Sequence, residues 1–173
     1  MGRKLAPGTD TPDSVCSTPE SRRWILPVRM DIAGARRTFR DVRVAHVASL
    51  LEDGAPHVVP LWFVWLTEGL YVTSRAQSRL SRNIERDPRV SLMVHRGEAW
   101  TQQAGILIRG TAEALGREHP EAKRALSAWF EKYRSELAGA GFAAYTEQVN
   151  EPVVVLIRLG HVSSWIHARQ PGG

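Results

Sequence analysis

Asp53-Gly54 lies between two runs of strand-forming residues, and this pattern limits the fold more than any other feature of the chain. Val42 to Leu51 reads as a strand, with Val42, Val44, Val47 and Leu50 among its apolar positions. Pro56 to Leu66 reads as the return strand. Asp-Gly between apolar runs is a hairpin signal, because glycine accepts the left-handed backbone that a tight strand connection needs. The return strand carries Val58, Val59, Leu61, Trp62, Phe63, Val64 and Trp65, so it is expected to be covered on both faces. Pro60 within it has no N–H to give a ladder and belongs at an edge or a bulge. Thr67-Glu68-Gly69 makes the next turn and leads into Leu70 to Ser74. Three antiparallel strands therefore follow one another through short turns.

The stretch from Tyr71 to Val94 then reads as strand, basic turn, short helix, strand. Ser78 is the expected helix cap, since a side-chain hydroxyl accepts from the unpaired N–H groups of a first turn. Pro88 ends the helix by biasing Asp87 away from helical geometry. Arg75, Arg79, Arg82 and Arg86 lie on or beside this helix, and Thr73, Ser74 and Ser78 supply hydroxyls before it. A helix amino terminus carries partial positive charge and free N–H groups, so the set suits a phosphate. The residues alone leave a second reading open, a solvated basic helix between two strands.

Elsewhere, Ile32 to Asp41 is weakly helical and is expected to pack through Ile32 and Phe39. Ala104 to Leu115 is a strand in which Ile106, Ile108 and Thr111 alternate with Leu107, Arg109 and Ala112. Pro120 suits a first helical position, Glu121 a first turn and Gly139 a stop. Within that helix Leu126, Trp129, Phe130, Tyr133 and Leu137 form one apolar stripe. Val153 to Leu159 is a long last strand and Gly160 to Ile166 a shorter one. About six main strands, mostly antiparallel, bury their core best as a closed or partly closed barrel.

A chain of 173 residues with 43% hydrophobic composition is one domain's worth, with residues 24–173 forming it. Residues 1–23, rich in Pro, Gly, Ser, Thr and Asp, read as a flexible arm, with Trp24-Ile25-Leu26 the first anchor. No apolar run is long enough to span a membrane, and no signal-peptide pattern opens the chain. The single Cys16 has no internal partner for a disulfide, which fits a cytoplasmic protein. The net charge of +5 is compatible with an anionic ligand, but no nucleic-acid motif is present. The six histidines show no metal-ligand spacing, so no metal is expected. No acid–base pair stands out, and no catalytic side chain is named.

The order of these turns resembles the pyridoxamine 5′-phosphate oxidase-like superfamily, including its deazaflavin-dependent branch. The matching residues are Ala48-Ser49-Leu50, Asp53 to His57, Pro60 to Phe63, Leu70 to Ser74 and Ser78-Arg79, then Asn83 to Leu92 and Gly110 to Glu113. Tyr133, Tyr145 and Val162-Ser163-Ser164-Trp165 resemble the deazaflavin branch. The resemblance implies a mainly β fold, a six-stranded antiparallel split barrel of the FMN-binding type. It also implies a homodimer with the cofactor at the subunit interface. Thr73, Ser74, Ser78 and Arg79 would then hold a cofactor phosphate, with Arg82 in support. The flavin ring would lie along Val58, Val59, Pro60, Leu61 and Trp62.

Two residues depart from the family pattern. A lysine is replaced by Leu80, and the arginine that begins the ring-binding strand by His57. Both losses remove positive charge, which a longer deazaflavin would recover through the remaining arginines. The expected function is hydride transfer between bound FMN and a small organic substrate. The alternatives are a reductase dependent on the deazaflavin coenzyme F-420, or a non-catalytic protein that binds a flavin or haem. Trp62, Trp65 and Trp100 are candidates for lining the site or for packing alone.

Overall fold

The computed structural model describes residues 30–138 and 152–167. The expected arm and the anchor Trp24-Ile25-Leu26 lie outside these residues, as do Cys16, Gly139 and Tyr145.

The described elements are α1 (Ile32–Thr38), β1 (Val44–Leu50), β2 (Pro56–Leu66), β3 (Gly69–Arg75), α2 (Arg79–Arg86), β4 (Arg89–Arg96), a 3-10 turn at Trp100–Gln102, β5 (Ala104–Leu115), α3 (Pro120–Lys132) and β6 (Pro152–Ile166). The strands close into a barrel in the order β1-β2-β3-β6-β5-β4, every described pair antiparallel. Sequence signals account for the first hairpin. Gly54 adopts φ 83°, its N–H donates to the Leu51 carbonyl, and the Asp53 carboxylate accepts from Ala55 N–H at 3.0 Å.

The barrel interior holds Val47, Phe63, Leu70, Val72, Leu92, Ile106, Ile108, Val155 and Ile157. The two short helices close its ends. α1 inserts Ala35 and Phe39, whereas Ile32 stays half-buried, because the side chains four apart on this face are 35 and 39. α2 inserts Leu80 and Ile84 at the opposite end. A second apolar layer lies outside the barrel, where Ala122, Ala125 and Trp129 of α3 cover Val64, Tyr71, Val154 and Leu156.

Three expectations change. The helix α3 stops at Lys132, seven residues before Gly139, and its buried stripe runs through Ala122, Ala125 and Trp129; Phe130 is 38% exposed. Beyond the helix, Tyr133 and Leu137 still pack in the same layer. The two last strands are one, β6, with an extra residue at Gly160 where the register passes from Arg109–His161 to Gly110–Leu159. Because that bulge lies in β6, β5 keeps an unbroken alternation up to Ala112, which is buried while Thr111 is exposed. Finally, β2 is not covered on both faces along its whole length. Val58 is 57% exposed and Pro60 is also exposed.

Candidate functional site

The barrel is split where β2 leaves β3. Only Phe63 to Leu66 of β2 pair with β3, through Val72 to Gly69. Residues 56–62 of β2 pair with β1 alone, and Thr73 to Arg75 of β3 pair with β6 alone. Pro60 therefore sits on a strand edge, as a residue without an N–H must. The gap between the two strand ends leads to the amino terminus of α2.

The end of the β1–β2 ladder, where β2 changes partner, has an identifiable cause. The Tyr133 hydroxyl accepts from Phe63 N–H at 2.9 Å and reaches the carbonyls of Phe63 and Arg43, both at 2.8 Å. It occupies the position at which the β1–β2 ladder would continue past the Val44–Trp62 pair. Lys132 Nζ donates to the carbonyls of Val42 (2.7 Å) and Phe63 (3.0 Å), with the Phe63 ring 4.0 Å away. Burial pushes the Tyr133 hydroxyl pKa up and takes the Lys132 ammonium down to about 8. These two residues tie the end of α3 to the point where β2 changes partner. In the sequence Tyr133 stands out as an apolar-stripe position and in the resemblance to the deazaflavin branch, and nothing local marks Lys132.

α2 begins as its sequence predicts. Ser78 caps it, accepting from Ser81 N–H at 3.0 Å, and Asp87 ends it in extended geometry before Pro88. The cap is part of a chain of hydroxyls. Ser78 Oγ donates to Ser81 Oγ (2.9 Å), Ser81 Oγ donates to the Arg75 carbonyl (2.7 Å), and Ser74 Oγ lies 2.8 Å from Ser78 Oγ. With the Ser78 proton committed to Ser81, Ser74 is the donor in the Ser74–Ser78 contact. Neither serine has a hydroxyl proton to spare for a phosphate. Their contribution is to hold the turn, while the Thr73 hydroxyl has no hydrogen-bond partner among the described residues.

The donors left over are cationic and backbone groups. Arg75 and Arg79 are exposed and make no hydrogen bond or ion pair through their guanidiniums among the described residues. Arg82 is exposed and donates to the Gln77 carbonyl at 2.7 Å. Arg86 is committed to the Leu50 carbonyl. Arg89 pairs with Asp87 at 2.6 Å, which holds the Asp87 carboxyl down to about 2. The N–H groups of Arg79 and Leu80 also lack acceptors among the described residues, as expected of a first helical turn. A buried Asn83–Ser49 hydrogen bond of 2.9 Å fastens α2 to β1.

The expected site residues thus fall into separate environments. Thr73, Ser74, Ser78, Arg79 and Arg82 converge at the start of α2. Val58 and Pro60 face outward on the free part of β2, and Val59 and Leu61 pack toward the barrel interior. The Trp62 side chain is taken by packing, stacked on Tyr133 at 4.4 Å and against Trp129 at 5.6 Å, so only its backbone remains for a ring. Trp65 packs at the far end of the barrel. Trp100, 54% exposed, lies against His167 at 4.9 Å. Leu80, in the place of the expected lysine, is a core residue. The unpaired strand edge and the unpartnered guanidiniums fit a planar ring bearing a phosphate. No group of three metal-ligating side chains occurs among the described residues.

The profile of the pyridoxamine 5′-phosphate oxidase family matches residues 33–165. The chain belongs to that family. No curated protein matches it. Among solved structures, it is similar to the conserved hypothetical protein Rv2991 from Mycobacterium tuberculosis, with 25% identity, TM-score 0.67, and 86% of this chain and 96% of that one covered. It is also similar to HutZ, the haem storage protein of Vibrio cholerae, with 19% identity, TM-score 0.64, and 80% and 98% covered. An F420 reductase shares 24% identity, TM-score 0.53, with 70% and 89% covered. The last two likenesses bear on the fold alone.

Proposed function

We infer that this family member is an oxidoreductase that binds FMN in the split of its barrel. The observation that carries this reading is the pair of unpartnered guanidiniums, Arg75 and Arg79, with the free N–H groups of α2 beside them. Arg79 and Arg82 contact the phosphate, and Thr73 adds a hydroxyl. Ser74 and Ser78 position the turn. The free edge of β2 from Val58 to Trp62 offers backbone groups to the polar rim of the ring, less the donor that Pro60 lacks. A bound flavin supplies a hydride donor or acceptor for a small organic substrate, and the protein orients and shields it.

A second reading, coenzyme F-420 in place of FMN, is favoured by one observation. Leu80 lies in the core while Arg75, Arg79 and Arg82 all remain exposed, so the cationic surface is broader than one phosphate needs. A longer acidic tail would use it. The F420 reductase and haem storage protein of the same fold mark the range of ligands to be tested, including non-catalytic binding.

The reading extends to a homodimer in the cytoplasm. Val58, Pro60 and Leu107 leave apolar surface open on the outside of the barrel, away from α3. The Trp129–Phe130 region of α3 is a poorer seam, because Trp129 is already buried beneath its own helix. A sedimentation mass of one chain would remove the dimer.

Mass spectrometry of the small molecule released on denaturation, after competition between FMN and F-420, tests the cofactor. FMN recovery supports the first reading and F-420 recovery the second. If the retained flavin never turns over with candidate acceptors, the protein is a binding module. Arg79→Ala is expected to weaken cofactor affinity at least about tenfold, since a charge-assisted contact is worth about 1.5–3 kcal/mol. Unchanged affinity would remove the phosphate assignment.

A further inference from the structure

A second cluster of cationic and aromatic groups lies at the barrel end opposite α2. Arg36 of α1, the β2–β3 turn and Arg124 of α3 enclose an open cleft of about 500 Å3, with Trp65 as part of its wall. Arg124 is neutralised there by Glu68 at 2.8 Å. Arg36 is not. Its side chain is half-buried, yet no carboxylate among the described residues pairs with it. Its Nη2 donates to the Thr67 carbonyl at 3.0 Å, while its Nε–H is buried without an acceptor among the described residues. The Trp65 Nε1–H is also buried without an acceptor among the described residues, and the Arg36 guanidinium lies 6.0 Å from the Trp65 ring centroid.

Buried N–H groups normally have acceptors. Here the Nε–H of Arg36 lacks an acceptor among the described residues, on the Nε–Nη2 edge that can bind two carboxylate oxygens at once and that holds only one backbone carbonyl, through Nη2. The Thr67 carbonyl that Nη2 now holds belongs to an exposed turn residue, so water can replace Arg36 there.

The geometry points to a binding site for a small aromatic carboxylate in this cleft. The carboxylate pairs with the Nε–Nη2 edge of Arg36, which turns toward the cleft and releases Thr67. The ring packs against the Trp65 indole. Glu68 sets a limit on the ligand, since it repels a second negative charge near Arg124. A monoanion is therefore preferred to a dianion. The site lies at the far end of the barrel from the split and does not depend on what binds at α2.

Benzoate is the probe, with benzamide as its uncharged counterpart and acetate as the charge without the ring. The full chain is labelled with 15N, and the Trp65 indole N–H resonance, assigned by its loss in Trp65→Phe, is followed during titration. Benzoate is expected to shift this resonance saturably, with benzamide and acetate each binding at least about tenfold more weakly. Arg36→Gln is expected to weaken benzoate at least about tenfold, and Arg36→Lys to recover only part of that loss, because lysine lacks the two-pronged edge. Arg79→Ala should leave benzoate binding unchanged. The site is overturned if no saturable shift occurs, if benzamide binds as well as benzoate, or if folded Arg36→Gln and Arg36→Lys both bind benzoate like the unaltered chain.

Discussion

The two halves of β2 have similar compositions and different fates. Residues 63–66 are paired with β3 alone, have Tyr133 and Lys132 on their β1 side at Phe63, and lie between the barrel core and α3. Residues 56–62 are paired with β1 alone, their edge toward β3 is unpaired, and Val58 is largely exposed. Hydrophobicity does not separate the halves, since Val58, Val59 and Leu61 are as apolar as Val64 and Leu66. The difference is the neighbour. Over the second half α3 lays Trp129 and Tyr133, and at Phe63 the Tyr133 hydroxyl takes the strand's N–H. In the first half only Trp62, its last residue, meets these side chains. One half is a fixed wall, and the other leaves its edge groups available to a ligand or a second chain.

This contrast can be broken most severely at α3. Trp129→Ala removes a side chain that is 1% exposed, and is expected to cost about 3–5 kcal/mol of stability. Denaturant unfolding would check it; a loss below about 1 kcal/mol would mean that α3 does not anchor the second half of β2.

Tyr133→Phe should cost about 1–3 kcal/mol, because it leaves the buried Phe63 N–H without an acceptor while keeping the ring. Hydrogen exchange at the Phe63 amide should accelerate in this variant and stay unchanged at residues 46–48 of β1. Equal acceleration along the whole hairpin would contradict a local clamp.

Lys132 gives a smaller, pH-dependent effect. Burial lowers its pKa from 10.5 to about 8, so the folded chain holds this proton less tightly than the unfolded chain. Stability from this group is therefore lowest below about pH 8 and rises as the pH goes from there toward 10.5. Unfolding midpoints at about pH 7.5 and about pH 9.5 should show the rise in the native sequence and its absence in Lys132→Gln. Because part of the lysine remains in solvent, the rise is expected to be modest.

Val58→Ser should change monomer stability by less than about 0.5 kcal/mol, as for most exposed positions. Its sedimentation behaviour is the informative readout. If the outer face is the seam between copies, the variant shifts toward monomer. No shift would place the seam elsewhere.

Much of the backbone plan was written in local signals. Asp53-Gly54, Ser78, Pro88 and Pro120 each act within a few residues, and each does in the folded chain what its chemistry implies. The β1–β2 pairing follows from the first of these links, whereas the β1–β4 and β3–β6 pairings that close the barrel join distant segments. The candidate phosphate residues were also legible, because Thr73 to Arg82 are close in sequence and a helix start draws them together. Less legible was which of them keep a free donor. Ser74 and Ser78 carry the right hydroxyls, but the turn uses both protons.

What the tertiary structure alone decided depends on residues far apart in the chain. Periodicity gave α3 an apolar stripe, yet which side chains are buried depends on the outer surface of β2, β3 and β6. An extra residue between β5 and β6 could fall in either strand, and only their pairing assigns it to Gly160. Tyr133 and Lys132 meet Phe63, Val42 and Arg43 across long sequence separations, and Arg36 meets Trp65 only because α1 closes that end of the barrel. A turn or a cap satisfies its own backbone within one segment, so the sequence by itself determines it. A split strand edge or a cleft between helices exists only once distant segments compete for the same surface.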